Sequence, residues 1–444
     1  MKHFLKIISI NSLLIIGITC TGYTGLKIHS YLEENNREAS KLNNLLAQKN
    51  DLKKGVYPVI TGFDALPSAD GLLSEAGKFA KKMDVYPLNG VPNKMTFYGK
   101  EGNSAGATYT SDKYGFRNKN SIYESDQLDY VLIGDSFGHS AGSEVEYGLN
   151  EHLSETHKLK GLNLSLSGHN TPEYMMISRE YINGAIKSKT PKSNNIIFLI
   201  YGSNDWAHHC FTPHKTSQGI CKIIWEYLES TSKNQAIFEN TNYSNMTNKY
   251  HLFLLNKIMN TRPNDDHIIH DFPGFFRKSL ANDILQIKIF IKHALIKSPK
   301  ISENISNIPR NSYGAQIDSH DDLLYPRIFL GKAFTEAKRF CIKNKCNVYL
   351  AFAPSYLDIH HTTRSKGDDY KIEAYPNKFL AQNFSDLAKK NDVKVCQFET
   401  ISNLLSASHL NQDNPFTINT TSHYSDHGYR LLARYLSECL AKNQ

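Results

Sequence analysis

The sequence predicts an α/β fold in three layers, a central parallel sheet with helices on both faces, carried behind an N-terminal membrane anchor and broken by a helical insertion. Three observations predict it. From residue 126 onward short apolar runs alternate with amphipathic segments, and strands that alternate with helices build a parallel sheet covered on both faces. Residues 7–26 are apolar behind a basic start, and about 20 such residues span a bilayer. After the third strand pattern, residues 206–324 run on without another, too far for a structureless loop.

The elements follow in chain order. Lys2, His3 and Lys6 precede the apolar stretch and Glu33 and Glu34 follow it, so the positive-inside rule leaves the N-terminus in the cytoplasm and the bulk of the chain on the periplasmic or extracellular side. Residues 1–28 are therefore read as a transmembrane signal anchor. A cleaved signal peptide is the competing reading; the run Thr19-Cys20-Thr21-Gly22 has no small-x-small pattern, and the apolar stretch is longer than a signal peptide needs. Residues 29–57, polar with Leu42, Leu45, Leu46 and Leu52 at loosely helical spacing, form a stalk. Residues 58–125, rich in Gly, Pro and Asn, form an irregular lead-in.

The main domain covers 126–444. Its predicted strands lie at 130–133, 162–164, 195–201, 348–353 and 393–397, and its helices at 147–157, 173–187, 328–344, about 378–390, and from 425 to the end. The insertion at about 206–324 has helical stretches of its own at 250–259 and 276–296.

Composition bounds the function. With 40% hydrophobic and 21% charged residues, 444 residues suffice for a folded core. The net charge of +8 is spread along the chain with no dense basic run among aromatics, which excludes a nucleic-acid partner. Cys20 falls in the anchor, and the six remaining cysteines are an even number, which fits disulfides in an oxidising compartment. Cys210 and Cys221, bracketing Pro213 and Gly219, are the favoured pair. No Cys or His spacing suggests zinc, and no cofactor is expected. The neighbours His208-His209 and His360-His361 point in different directions and read as solvated loop residues.

The chemistry centres on Ile133-Gly134-Asp135-Ser136-Phe137-Gly138. Ser136 falls at the carboxyl end of a strand, where parallel sheets hold ligands, with its hydroxyl free to be exposed and its N–H free to face an oxyanion. An ordinary turn would use the same residues. The second strand, however, runs into Ser165-Leu166-Ser167-Gly168-His169-Asn170, the third into Tyr201-Gly202-Ser203-Asn204-Asp205, and His423-Tyr424-Ser425-Asp426-His427-Gly428 opens the closing helix.

This order of blocks resembles the SGNH (GDSL-like) hydrolase superfamily over about residues 128–440, apart from the insertion. Tyr109-Thr110-Ser111-Asp112-Lys113-Tyr114-Gly115-Phe116-Arg117-Asn118 resembles the lead-in of a membrane-anchored bacterial subset linked to surface polysaccharides. The resemblance implies a flavodoxin-like sheet, Ser136 as nucleophile and His423 as its base. It implies an oxyanion hole from the N–H groups of Ser136 and Gly168 and the amide of Asn204, with Asp135 and Asp205 in support, Asp205 fixing the loop that aims Asn204. Trp206 either stacks on a sugar or anchors the insertion. The chain departs from the family two and three residues before the histidine, where Thr421 and Thr420 stand in place of an acid. Orientation of His423 then falls to Asp413, a backbone carbonyl or a threonine hydroxyl. The implied activity is an acyl-ester hydrolase or O-acetyltransferase acting on a cell-surface glycan through a serine acyl-enzyme, a transferase needing a membrane partner as acyl donor. A non-catalytic glycan-binding or assembly protein on the same fold is the rival that the two threonines admit.

Overall fold

The computed structural model describes residues 50–59, 88–98, 104–183, 192–201, 243–260, 324–354, 376–410, 413–417 and 423–442. The chain divides into two compact units, Met1–Asn50 with Ile258–Asn304 and Asp51–Lys257 with Ile305–Gln444. Every element below belongs to the second unit, save the last turn of one helix.

Three short strands come first, β1 (Tyr57–Pro58), β2 (Met95–Tyr98) and β3 (Ala107–Thr110). They form a sheet of their own in which β1 and β2 are parallel and β2 and β3 antiparallel. The lead-in expected to be irregular is therefore partly ordered. A 3-10 turn over Asn120–Glu124 follows, then β4 (Gln127–Leu128), β5 (Tyr130–Gly134), helix α1 (Gly148–His157), β6 (Gly161–Asn163) and α2 (Thr171–Ile177). The helix expected over 173–187 starts earlier and changes form, passing into a π segment at Ser178–Ile182. There the Ser178 hydroxyl donates to the Tyr174 carbonyl at 2.7 Å, a back-bond that competes with regular helix pairing. Next come β7 (Lys192–Ser193), which pairs with β4, and β8 (Asn195–Tyr201).

Helix α3 (Tyr243–Asn260) lies in the predicted insertion and begins earlier than its expected start at 250. The helix expected at 276–296 lies outside the described residues. The chain resumes with α4 (Leu324–Asn344), β9 (Asn347–Ala353), α5 (Pro376–Lys390) and β10 (Lys394–Val395). Two residues of β10 pair where five were expected. Helix α6 (Phe398–Leu410) has no counterpart among the predicted elements, and α7 (Asp426–Lys442) closes the domain.

The main sheet has the order β10-β9-β8-β5-β6 with every pairing parallel. Both faces are covered, which is why these strands read as unbroken apolar runs. Alternate residues serve opposite layers. Val131, Ile133, Ile196, Phe198, Val348 and Leu350 pack with α2, α4 and α5, whereas Leu132, Ile197, Leu199, Tyr349 and Ala351 pack with α1, α6 and α7. From β5 the chain steps outward to β6, then returns across β5 to β8. The strand order thus reverses between β5 and β8, and a crevice opens at the carboxyl ends of strands at such a point.

Disulfides join Cys341 to Cys346 and Cys396 to Cys439, in keeping with an oxidising compartment. The favoured pair Cys210 and Cys221 lies outside the described residues, as do the anchor and most of the stalk. Among the described residues no helix is long and apolar enough to cross a membrane.

Candidate active site

Gly134 ends β5, and the chain turns at once. The N–H of His139 donates to the Asp135 carbonyl and that of Ala141 to the Ser136 carbonyl, both at 2.9 Å. Asp135 fixes the start of this turn, its Oδ1 accepting the Phe137 N–H at 2.9 Å. Ser136 sits at the reversal point of the sheet, recessed, with 6% of its surface exposed.

The Ser136 Oγ lies 2.7 Å from His423 Nε2 and 3.3 Å from Asp135 Oδ2. A hydroxyl has one proton to donate, and the shorter distance assigns it to the imidazole. Asp135 is fully buried, which raises its carboxyl pKa; the Phe137 N–H and the charge of His423 pull it back.

His423 is placed from several sides. Its carbonyl accepts from the N–H and the hydroxyl of Thr417 at 3.0 and 3.2 Å, and the Phe137 ring lies 4.9 Å from its own. The next residue, Tyr424, donates its hydroxyl to the Pro354 carbonyl at 2.7 Å, just past β9. In α7 the Tyr429 hydroxyl donates to the Ala141 carbonyl at 2.7 Å. Gly142 makes the approach of the two loops feasible. It has φ +81°, and a Cβ there would stand 2.7 Å from both Thr417 Cγ2 and the Tyr424 carbonyl.

Gly168, with φ +79°, lies on the loop that follows β6, and that loop packs on the Ser136 turn. A Cβ on Gly138 would meet Ser165 Oγ at 2.2 Å, while Asn163 Nδ2 donates to the Gly138 carbonyl at 2.7 Å. Ser136, His423 and Asp135 are thus brought together, with the Gly168 loop beside them. Asn204, Asp205 and Trp206 lie outside the described residues, as do Thr420 and Thr421. Asp413, expected as a possible orienting acid, is exposed, and its hydrogen bonds to Ser408 run through its backbone N–H and carbonyl.

Sequence reasoning missed four residues around this site. His139 is buried, stacks on Tyr98 at 4.3 Å and meets the Tyr109 hydroxyl at 3.0 Å through Nε2. The Ser167 N–H reaches its Nδ1 at 3.4 Å, which leaves the ring proton on Nε2. Burial pushes its pKa well below 6.5, with Arg117 and His169 adding to the shift, so the ring is neutral. The fourth is Arg117, whose buried guanidinium donates to the carbonyls of His139, Ser140, Val145 and Glu146 at 3.1, 3.0, 2.6 and 2.8 Å. The segment 109–118 was the available signal, since it holds both Tyr109 and Arg117.

A hydroxyl held this close to an imidazole can lose its proton as its oxygen attacks a carbonyl. Among the described residues no group of three His, Cys, Asp or Glu is placed to hold a metal ion. No protein-family model matches the chain, and no curated protein matches it.

Proposed function

We propose that the chain is a serine acyl-transfer enzyme of the SGNH type, hydrolysing or transferring an acyl ester, an acetyl group above all, on a cell-surface glycan. The observation that carries this reading is the 2.7 Å contact between Ser136 Oγ and His423 Nε2 at the point where the sheet order reverses. The order of the five strands, with a helical layer on each face, supports the flavodoxin-like arrangement that the resemblance implies. The two disulfides agree with a domain held outside the cytoplasm by residues 1–28.

In this reading His423 takes the Ser136 proton as the oxygen attacks the acyl carbonyl, and returns it to the departing sugar hydroxyl. The N–H groups of Ser136 and Gly168 and the amide of Asn204 hold the oxyanion. Each such donor is worth on the order of 100- to 1,000-fold in rate. Water then resolves the acyl-enzyme in a hydrolase; a sugar hydroxyl resolves it in a transferase charged by a membrane partner.

A fluorophosphonate tests the reading, since it labels only a serine whose base is working. Ser136 of the wild type is expected to label, and His423→Ala to abolish labelling while the far-ultraviolet dichroism stays unchanged. A folded wild type that reacts with neither fluorophosphonate nor an acetyl ester would leave a non-catalytic glycan-binding protein.

A further inference from the structure

The loop that carries Gly168 closes on itself as a tight turn. The His169 N–H donates to the Leu166 carbonyl at 3.1 Å, which makes Ser167 and Gly168 the two central residues. Gly168 supplies a positive φ, +79°, as the second central position of such a turn often needs. Along residues 162–170 only Ser167 and Gly168 are partly exposed, so they are the face that this loop presents. A turn closed in this way uses neither central N–H group. That of Ser167 reaches His139 Nδ1 at 3.4 Å, and that of Gly168 takes no partner among the described residues.

The surroundings of His139 fix both its place and its tautomer. Its backbone belongs to the Ser136 turn, with its N–H on the Asp135 carbonyl at 2.9 Å and its own carbonyl accepting from Arg117 at 3.1 Å. Its buried ring stacks on Tyr98 at 4.3 Å and meets the Tyr109 ring edge-on at 5.9 Å. The Tyr109 hydroxyl lies 3.0 Å from Nε2. The Ser167 N–H needs an acceptor, so Nδ1 is bare and the ring proton sits on Nε2, facing an oxygen able to accept it. The other tautomer, or the protonated ring, would set a donor against a donor. Burial, Arg117 and His169 all disfavour the protonated ring. Asn163 also joins the Gly168 loop to the Ser136 turn, through the Gly138 carbonyl, but it does so ahead of the tight turn. His139 joins them within it.

We propose that His139 is a positioning residue of the acyl-transfer site: its ring, seated on Tyr98 and Tyr109, accepts the Ser167 N–H through Nδ1 and so holds the next N–H, that of Gly168, toward the oxyanion. The Ser167 N–H is tied to His139 and the His169 N–H to Leu166, so the peptide between them, which carries the Gly168 N–H, is anchored on both sides. The role assigned to Gly168 rests on the acyl-transfer reading; the anchor itself does not.

The test compares two replacements of His139 in full-length protein in detergent. An Asn amide oxygen falls where Nδ1 lies, whereas a Gln amide reaches the place of Nε2. His139→Asn therefore keeps an acceptor for Ser167 and loses Tyr109, while His139→Gln keeps Tyr109 and leaves the Ser167 N–H bare. With p-nitrophenyl acetate, His139→Gln should lower kcat by about 100-fold at unchanged KM, as the loss of one oxyanion donor does, and His139→Asn should recover most of that loss. Tyr109→Phe keeps the ring contact and frees the tautomer. It is the milder variant and should lower kcat by about tenfold, the equivalent of one hydrogen bond. Equal kcat in the Asn and Gln variants, or a loss confined to KM, overturns the proposal, since a merely structural histidine would make no distinction between the two amides. Hydrogen–deuterium exchange of the peptide spanning residues 162–170 reads the anchor without turnover, and should be faster in His139→Gln than in His139→Asn or the wild type. A folded wild type that neither turns over the ester nor labels with a fluorophosphonate refutes the acyl-transfer reading. Exchange still decides the anchor in that case, and equal rates in all three proteins overturn it.

Discussion

At the scale of the residue, Arg117 shows how a side chain outside the Ser136–His423 pair sets its geometry. Its guanidinium is buried and donates four hydrogen bonds, all to carbonyls between His139 and Glu146, the loop that leaves the Ser136 turn. The residues around it share the task. Asp112 Oδ1 accepts the N–H groups of Tyr114 and Phe116, and Asn118 Nδ2 bridges Asp112 to the Asn163 carbonyl. Removing a buried charged donor strands its acceptors, so Arg117→Met should lower unfolding free energy in urea by roughly 3–5 kcal/mol. It should also slow fluorophosphonate labelling of the fraction still folded. Lysine offers a point charge in place of a planar fork, and Arg117→Lys should recover only part of either loss. An unchanged urea midpoint in Arg117→Met would refute the clamp. Ser136 stood out in the sequence because it lies just past an apolar strand, and His423 because its block resembles the family's terminal one. Arg117 and His139 did not, because their roles depend on reaching a segment 22 or more residues away, which no local pattern encodes.

At the scale of the element, legibility followed apolar density. The runs at 130–133, 195–201 and 348–353 carry almost nothing but buried apolar residues and were readable to within a residue. Strands β1, β2 and β3 are two to four residues long, too short to display a period of two. Helix α6 hides for another reason: Phe398-Glu399-Thr400-Ile401-Ser402-Asn403 dilutes its apolar face with residues that favour caps and turns. What ties α7 to the segment between β10 and α6 is covalent. The Cys396–Cys439 bridge spans 43 positions, from just after β10 to the end of α7, whereas Cys341–Cys346 spans 5. Chain-entropy arguments give about 4 kcal/mol for the longer loop against about 2 kcal/mol for the shorter. Replacing both cysteines of each bridge by serine, one bridge at a time, should therefore lower the urea midpoint about twice as far for Cys396–Cys439. Equal losses would show that loop closure is not the dominant contribution.

At the scale of the whole molecule, parallel pairing could be inferred from alternation, but the order of strands could not, since no segment records which neighbour it will meet. The expectation of a flavodoxin-like order came from the resemblance alone. Folding around such a sheet also buries groups that titrate, and their opposition gives a pH dependence whose sign can be worked out. His139, His169 and His251 are buried, and burial lowers each pKa below 6.5, to about 4 for His169 and His251. Unfolding lets them bind protons, so the stability they contribute is full above pH 6.5 and lost as pH falls toward 4. Burial acts oppositely on Asp112, raised from 3.8 to about 6, and on Asp135, raised likewise; their contribution is full below 3.8 and lost as pH rises toward 6. Asp426, lowered from 3.8, titrates beneath this window, and His157, half-buried and lowered by burial, adds a smaller contribution of the same sign as the buried histidines. Between about pH 4 and 6 three histidines oppose two aspartates, and unfolding takes up about one net proton, a slope of about 1.4 kcal/mol per pH unit. Stability in urea should fall on acidification through this window and stay level above pH 6.5 as far as these groups determine it. His169→Gln with His251→Gln leaves His139 alone against the two aspartates, so the slope should change sign and the variant should gain stability on acidification. A double variant that loses stability with falling pH as the wild type does would show that the buried histidines are not what sets the slope.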